Sequence, residues 1–332
     1  MLVPWAAHAV DLTGAGASTP YPVYVKWAAN YHKHSGHRVN YQSMGSGGGQ
    51  QQIVTGTVDF GATDDPMPVE WLDKHGLVQF PAVIAGIVPV VNIPGLDAGA
   101  LMLTGDVLAK IYLGAITRWD DTEIAQLNPD VSLPDKDIVV VHRADGSGTT
   151  FVWTDYLSGQ SKQWRRRVGT GKAVSWPVGQ GGKGNEGVAA YVRQLSYSIG
   201  YVEYTYAVTN NLAWVALQNH DGHVIDPGIK AFAAAARDAD WDTPGMGVGL
   251  TNQPGSDVWP IVTASFILVP RSPKRPERTQ AVLEFFEWAY TQGQEAVVDL
   301  AYVPLPKQVV KRVRAQWEHV RLDRDGLEPK GS

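Results

Sequence analysis

The sequence has no cysteine, few charged residues and no apolar run as long as a membrane span. Without cysteine we expect no disulfide, no thiolate metal site, no cysteine nucleophile and no lipid anchor on an N-terminal cysteine. Charged residues make up 18% of the 332 residues, and the formal charge is −5. This charge argues against a partner held mainly by a positive field, such as nucleic acid or an anionic membrane. No segment approaches the roughly 18–20 apolar residues that span a bilayer.

The composition is that of a packed α/β protein rather than a disordered chain. Hydrophobic residues account for 44% of the sequence, and 12 residues are tryptophan. The 35 glycines are about 10.5% of the 332 residues, above the average share of about 7%. Because the length is near twice that of a domain of about 150 residues, two domains are expected.

The first nine residues, MLVPWAAHA, resemble the end of a secretory signal peptide. Ala7-His8-Ala9 has the small-x-small form after which signal peptidase cuts. We therefore interpret residues 1–9 as a signal-peptide remnant and expect the mature chain to begin near Val10. On this interpretation the protein is exported to the periplasm, is soluble, and is not a lipoprotein.

Strand-like and helix-like segments alternate along the chain, which predicts an α/β fold with mostly parallel sheets. Among them, residues 50–54 are predicted to form a short helix, and the segment IGYVEYTYA a strand followed by a turn. Two apolar runs, Ala82–Asn92 and Trp259–Val269, are too long for ordinary strands of about 5–6 residues. We interpret them as two strands that cross between two lobes and form a hinge. Lobe I is predicted at 10–84 and 262–325, and lobe II at 86–260. An interdomain cleft of this kind is where ligands usually bind.

Three segments share one design, in which an apolar strand leads into a glycine-rich turn bearing hydroxyls and then a helix. The turns contain Ser18-Thr19, Ser46-Gly47-Gly48 and Ser147-Gly148-Thr149. At such a turn the first helical N–H groups point outward with the positive end of the helix dipole, and hydroxyls add further donors. This is an anion-binding arrangement. Simple helix capping by serine and threonine is the alternative.

Charged residues accompany these turns. The guanidinium of Arg143 suits an oxyanion, although Asp145 is near enough in sequence to pair with it instead. Asp64 follows an apolar strand, where α/β folds bind ligands, or it caps a turn. A carboxylate beside an anion is repulsive unless the anion carries a proton that the carboxylate accepts. Phosphate near pH 7 is always protonated and sulfate is not, so Asp64 in this role selects phosphate.

Motifs typical of several enzyme classes are missing. The sequence has no GxxxxGK[ST] phosphate loop, no GxSxG around Ser46 or Ser147, and no HExxH. We expect a binding protein that is not an enzyme. A phosphomonoesterase with Ser46 or Ser147 as nucleophile is the alternative from the enzyme class.

From about Leu12 to Val320 the chain resembles the periplasmic phosphate-binding proteins of bacterial ABC-type phosphate uptake systems. The segments that carry the resemblance are LTGAGAST, YQSMGSGGG, GTVDFGATDDPM, VNIPGL, IYLGAITRWDD, RADGSGTTF, GGKGNEGVAAYV and IGYVEYTYA. The resemblance implies the two-lobed periplasmic binding-protein fold of type II. It also implies a protein that closes over inorganic phosphate and delivers it to a membrane permease.

The resemblance also assigns roles to the candidate residues. Ser18 would supply a hydroxyl and Thr19 a backbone N–H, although the family more often has Thr followed by Phe here. Asp64 would accept the phosphate proton, and Asp145 would temper the charge of the arginine. The complete predicted phosphate site is Ser18, Thr19, Ser46, Asp64, Arg143, Ser147, Gly148 and Thr149, supported by Asp145. No metal or cofactor is expected, a monomer is expected, and another oxyanion such as sulfate, molybdate or a phosphonate is the alternative ligand.

Overall fold

The computed structural model describes residues 10–322. The predicted signal-peptide remnant at 1–9 and the end of predicted lobe I at 323–325 lie outside the described residues. Among those that are described, no helix has the length and hydropathy needed to cross a membrane.

The structure alternates strands and helices, as the sequence pattern predicts. The strands are β1 Asp11–Gly16, β2 Arg38–Ser43, β3 Phe60–Thr63, β4 Leu77–Asn92, β5 Met102–Leu103, β6 Val139–Arg143, β7 Gln180–Gly182, β8 Ser198–Glu203, β9 Ala213–Trp214, β10 Ala216–Gln218, β11 Val224–Ile225 and β12 Val262–Pro270. The helices are α1 Tyr21–Ser35, α2 Ser46–Thr55, α3 Val69–His75, α4 Gly105–Tyr112, α5 Thr122–Leu127, α6 Gly148–Gln160, α7 Lys162–Arg167, α8 Gly184–Gln194, α9 Tyr204–Thr209, α10 Ile229–Arg237, α11 Pro276–Thr291, α12 Gln294–Asp299 and α13 Lys307–Trp317. A short 3₁₀ helix spans Pro244–Met246.

Strand β4 connects two sheet regions. Its residues 77–86 pair with β12, and residues 87–92 pair with β8. The strand order is β2-β1-β3-β12-β4 on one side and β4-β8-β6-β7 on the other. At the change of partner, Gly86 lies opposite Val262, the first residue of β12. Both apolar runs therefore meet where the chain passes between the two regions. The boundaries of the two lobes stay a prediction.

The prediction of mostly parallel sheets is wrong in one respect. The outer strands do run parallel, in the pairs β1–β2, β1–β3, β6–β7 and β6–β8. However, β4 pairs antiparallel with β8, β9 and β12, and β12 pairs antiparallel with β3. The sheets are mixed because β4 and β12 run in opposite directions to each other and pair antiparallel with their neighbours. The outer strands of each region are connected through helices and pair parallel with one another.

Two local expectations are also corrected. The sequence pattern places a short helix at residues 50–54, whereas α2 begins at Ser46, because its glycine-rich first turn carries no apolar periodicity that would mark it as helical. The segment after Glu203, expected to be a turn, forms the short helix α9, whose first free N–H is capped by the Glu203 side chain. The first correction matters for function, since it puts the hydroxyl of Ser46 at the helix N-terminus.

Candidate functional site

The N-termini of four helices meet between the two sheet regions. Helices α1 and α2 come from predicted lobe I, and α6 and α8 come from predicted lobe II. Each helix has 10 or more residues, enough to present a substantial positive end at its N-terminus. The chain therefore directs four sets of backbone donors at one place, although its net charge is negative.

The hydroxyl of Ser46 is fixed as a donor toward this place. Its oxygen accepts the backbone N–H of Asp64 and that of Gly148, each at 3.1 Å. A serine oxygen has two acceptor positions and one hydrogen, so both acceptor positions are filled. The hydroxyl hydrogen is left to donate to a further group. Ser46 is fully buried, and a buried hydrogen of this kind needs an acceptor.

Ser18 is held in the same way by Asn185. The Ser18 oxygen accepts the Asn185 backbone N–H at 3.2 Å and its side-chain amide at 2.9 Å, so its hydrogen is also left to donate. Sequence reasoning did not include Asn185 in the site. The signal was present, because GGKGNEG is a fourth glycine-rich turn that leads into a helix, and Gly184 adopts a positive φ of 69° there.

Arg143, which is buried, and Asp145, which is partly buried, form the ion pair that was one of the two alternatives. The Arg143 Nε and Nη2 atoms donate to the two Asp145 carboxylate oxygens at 2.8 and 2.5 Å. Burial acts to raise the pKa of Asp145, but the hydrogen bonds and charge of Arg143 outweigh it and hold that pKa below its usual value. The remaining terminal nitrogen, Nη1, donates to the Thr149 hydroxyl at 3.0 Å. The arginine is therefore rigid, and its charge is largely neutralised.

The hydroxyls of Thr149 and Thr19 lie 3.1 Å apart. The Thr149 oxygen already accepts from Arg143 and, at 3.4 Å, from the Asn185 amide. The Thr149 hydroxyl hydrogen is therefore donated to the Thr19 oxygen. The Thr19 hydroxyl hydrogen is left to donate to a further group. The sequence predicts only a backbone N–H from Thr19, so the structure adds its hydroxyl to the candidate donors.

Asp64 lies beside these donors, but its carboxylate receives none of them. It is 1% exposed, and neither of its carboxylate oxygens has a hydrogen-bond partner among the described residues. Burial raises its pKa to about 6, against the opposing effects of the Arg143 charge and of the nearby Thr19 and Ser265 hydroxyls, which do not reach hydrogen-bond geometry with it in this closed form. A buried carboxylate without partners is costly, so its two oxygens fit a ligand that brings a proton.

Ser147 and Gly148 begin the third predicted turn. The Ser147 oxygen accepts the Thr150 N–H at 3.0 Å, as an N-cap, and its own N–H donates to the Lys172 carbonyl. A Cβ at Gly148 would lie 2.4 Å from the Ser46 oxygen and 2.7 Å from the Asp64 Cβ. Only glycine allows the two sides to approach this closely.

The two sides of the cleft are in direct contact. The Gly47 N–H donates to the Gly146 carbonyl at 2.9 Å across it. Lys172 donates to Gln50 at 2.7 Å and pairs with Asp65 at 2.8 Å. These bonds join residues of predicted lobe I to residues of predicted lobe II, so the structure is a closed form.

The structure thus brings the eight predicted residues and Asp145 into one buried network, with Asn185 and the Thr19 hydroxyl in addition. Its chemistry is that of oriented hydroxyl and amide donors, one neutralised arginine and one carboxylate that lacks a donor. No group of three or more His, Asp or Glu side chains suited to a metal ion occurs within residues 10–322.

Comparison with known proteins agrees with this geometry. A family model described as the PBP superfamily domain matches residues 4–292. The phosphate-binding protein PstS of Pasteurella multocida is 57% identical over 320 residues, which cover 96% of this chain and 93% of that protein. The chain belongs to the PstS family of phosphate-binding proteins. The resemblance noted in the sequence is thereby confirmed.

Solved structures show the same fold as this PstS family member. The periplasmic phosphate-binding protein PfluDING, bound with phosphate, superposes with a TM-score of 0.73 at 20% identity, over 92% of this chain and 93% of that chain. An ABC-type phosphate transport receptor from Vibrio cholerae gives 0.56 at 19% identity, over 89% and 100%. The predicted periplasmic binding-protein fold is confirmed.

Proposed function

We propose that this protein binds inorganic phosphate in the closed cleft and delivers it to the membrane permease of an ABC-type phosphate transporter, without catalysis. The observation that carries the proposal is the buried Asp64 carboxylate, whose oxygens lack partners while the surrounding hydroxyls are oriented as donors. Membership of the PstS family supports the same ligand.

The site matches the hydrogen-bonding inventory of phosphate. Unprotonated oxygens of phosphate accept hydrogen bonds, and they meet the hydroxyls of Ser18 and Ser46 and the guanidinium of Arg143. The phosphate hydroxyl donates, and it meets Asp64. Sulfate has no proton at neutral pH, so it would place negative oxygens against that carboxylate. Because Asp145 offsets the arginine, directed hydrogen bonds more than net charge hold the anion.

The serine hydroxyls are arranged for binding and not for nucleophilic attack. A nucleophilic serine needs a base that takes its proton. The oxygens of Ser46 and Ser147 instead accept backbone N–H groups, and no histidine or carboxylate contacts either hydroxyl among the described hydrogen bonds. The family consists of substrate-binding proteins of phosphate transport.

We assign phosphate contacts to the eight predicted residues, with Asp145 and Asn185 in support. PstS proteins act in the periplasm, and the phosphate transporter's permease is the expected partner. That the protein is monomeric and carries no lipid anchor stays a prediction.

Isothermal titration calorimetry tests the proposal. The protein is unfolded, dialysed to remove carried-over ligand and refolded, and then phosphate and sulfate are titrated in parallel. Tight 1:1 binding of phosphate with no sulfate heat is expected.

Two outcomes would count against this function. Sulfate binding with weak phosphate binding would keep the oxyanion site but replace the ligand. No heat with either anion, from protein whose circular dichroism shows the native fold, would remove the proposed function altogether.

A further inference from the structure

Glu203 is a fully buried acid next to the phosphate site that has no role so far. It ends β8, lies opposite Ile87 of β4, and is 0% exposed. Its backbone N–H donates to the Asn185 side-chain oxygen at 2.9 Å, and Asn185 in turn holds Ser18. Glu203 therefore sits one hydrogen bond behind the site, where the chain crosses between the lobes.

The hydrogens around Glu203 do not suffice for a carboxylate. The Tyr302 oxygen lies 2.7 Å from the Thr19 carbonyl and 3.1 Å from the Glu203 Oε2 atom. A phenol has one hydrogen and a carbonyl oxygen only accepts, so the shorter bond to Thr19 takes that hydrogen. The contact between Tyr302 and Oε2 then needs a hydrogen that only Glu203 can supply.

The other carboxyl oxygen of Glu203, Oε1, also lies next to a hydroxyl whose hydrogen is used elsewhere. The Thr205 hydroxyl lies 2.5 Å from the Leu300 carbonyl and 3.1 Å from the Glu203 Oε1 atom. Its single hydrogen goes to the carbonyl, which leaves the Thr205 backbone N–H at 3.0 Å as the one uncontested donor to Glu203. One donor is few for a buried carboxylate but is sufficient for a carboxylic acid, which accepts on one oxygen and donates from the other.

The charges that face Glu203 favour the neutral acid as well. Within residues 10–322 no arginine, lysine or histidine forms an ion pair with it. Its titratable neighbours are Asp64 across the cleft, Tyr206 on α9 and Tyr302 after α12. Burial raises the pKa of Glu203 to about 8, and Asp64 adds to the effect. Burial also raises the pKa values of both tyrosines, so these phenols stay neutral.

We propose that Glu203 is a protonated positioning residue, which donates its hydrogen to Tyr302, so that Tyr302 holds the Thr19 carbonyl and keeps the first phosphate-binding turn in place. Loss of this proton reverses the bond. Tyr302 must then donate to Glu203, which releases Thr19, and a second buried negative charge faces Asp64. Phosphate affinity therefore falls at alkaline pH. This inference rests on the proposed function.

The Glu203→Gln variant tests the role, since a glutamine amide donates to Tyr302 as the acid does and has no proton to lose. Phosphate affinity is measured by calorimetry from about pH 6.5 to pH 9.5 in wild type, Glu203→Gln and Glu70→Gln, whose side chain is exposed on α3. Near pH 7 all three should agree within about threefold. Near pH 9.5 wild type and Glu70→Gln should bind about tenfold more weakly than Glu203→Gln, because a site that needs a proton loses up to tenfold per pH unit above its pKa.

The experiments distinguish a failure of the proposed role of Glu203 from a failure of the proposed function. Parallel pH profiles for wild type and Glu203→Gln, or a large loss of affinity in Glu203→Gln near pH 7, would overturn the role of the proton. An infrared difference spectrum between these two proteins near pH 7 gives a readout without phosphate, since the wild type should show one additional carboxylic acid band and its absence would refute the proposal. Lack of phosphate binding by wild type near pH 7 would instead refute the proposed function.

Discussion

Asp64 and Asp145 lie on the two sides of the cleft, and their surroundings are opposite. On the side of predicted lobe II, the Asp145 carboxylate accepts two hydrogen bonds from Arg143 and a third, at 3.0 Å, from the Gly184 N–H, and the pKa of Asp145 is lowered. On the side of predicted lobe I, Asp64 has no partner among the described residues, and burial raises its pKa to about 6. One side has its partners within the protein, whereas the other would, on the proposed function, be completed by the proton of a bound phosphate.

This difference divides the work of recognition. On the proposed function, the Arg143–Asp145 pair would offer a rigid hydrogen-bond donor whose charge is already balanced, so it would bind an anionic oxygen without discriminating strongly among anions. On the same proposal, the Asp64 carboxylate would discriminate among anions, because leaving a polar site group unpaired is what penalises a wrong ligand most. Affinity and selectivity are therefore separable by mutation on the two sides.

The largest expected effect comes from separating the two sides. In Gly148→Ala the new Cβ would overlap the Ser46 oxygen and the Asp64 Cβ, so the cleft cannot close. Closure brings at least two charge-assisted hydrogen bonds, each worth about 1.5–3 kcal/mol, and phosphate affinity should fall at least about a hundredfold by calorimetry.

Gly159→Ala is the matched control for that variant. It lies on the same helix, α6, and a Cβ there meets no other atom within 4 Å. It should bind phosphate as wild type does. If Gly148→Ala bound normally as well, the closed contact between Gly148 and Ser46 would not belong to the binding-competent form.

How much of this site the sequence predicts depends on how far apart in sequence the contacting residues are. Turn chemistry is local, so the residues of all three turns, with Arg143 and Asp64, can be proposed as candidates from glycine, hydroxyl and charge patterns. The division of labour is not, because whether Arg143 pairs with Asp145 or faces the cleft depends on side-chain rotamers that the local pattern does not determine.

Contacts between segments far apart in sequence are not predictable from local patterns either. Asn185 meets Ser18 across 167 positions of sequence, and Tyr302 meets Thr19 across 283. Neither residue type is unusual on its own, and only the folded chain brings them together. The start of α2 at Ser46 was missed because its first turn, SGGG, has low helix propensity and is stabilised by the approach of the opposite side.

The next largest effect concerns the arginine side. Arg143→Ala removes a charge-assisted donor and leaves Asp145 as a buried carboxylate without its main partner, so phosphate affinity should fall about tenfold to a hundredfold. Arg237→Ala, which breaks an exposed pair with Asp257, is the control and should leave binding unchanged. Unchanged affinity in Arg143→Ala would place the guanidinium outside the site.

The aspartate side should change selectivity more than affinity. Asp64→Asn replaces an obligate acceptor with a side chain that can also donate, so the ratio of phosphate to sulfate affinity should fall about tenfold. The measurement is competition calorimetry of both anions near pH 7. A ratio equal to that of wild type would show that Asp64 does not accept the phosphate proton.

The smallest effect tests the comparison without any ligand. The native pKa of Asp64 lies above its unfolded value, so native Asp64 retains its proton to higher pH, and its own contribution to stability is lost as pH rises from about 4 to about 6. The native pKa of Asp145 is lowered, so its contribution is present above the unfolded value and is lost as pH falls through the native one. Urea unfolding of phosphate-free protein near pH 7 should therefore move in opposite directions in the two variants.

Asp64→Asn should stabilise by about 1 kcal/mol, since a shift of about two pKa units is worth at most about 3 kcal/mol and the buried amide without partners offsets about 1–3. Asp145→Asn should destabilise, because it removes the charge that Arg143 needs. If both variants were destabilised alike, the buried Asp64 carboxylate would not be costing the protein folding free energy. Stabilisation of Asp64→Asn alone would mean that the protein gives up folding free energy at Asp64 to keep an acceptor in place for its ligand.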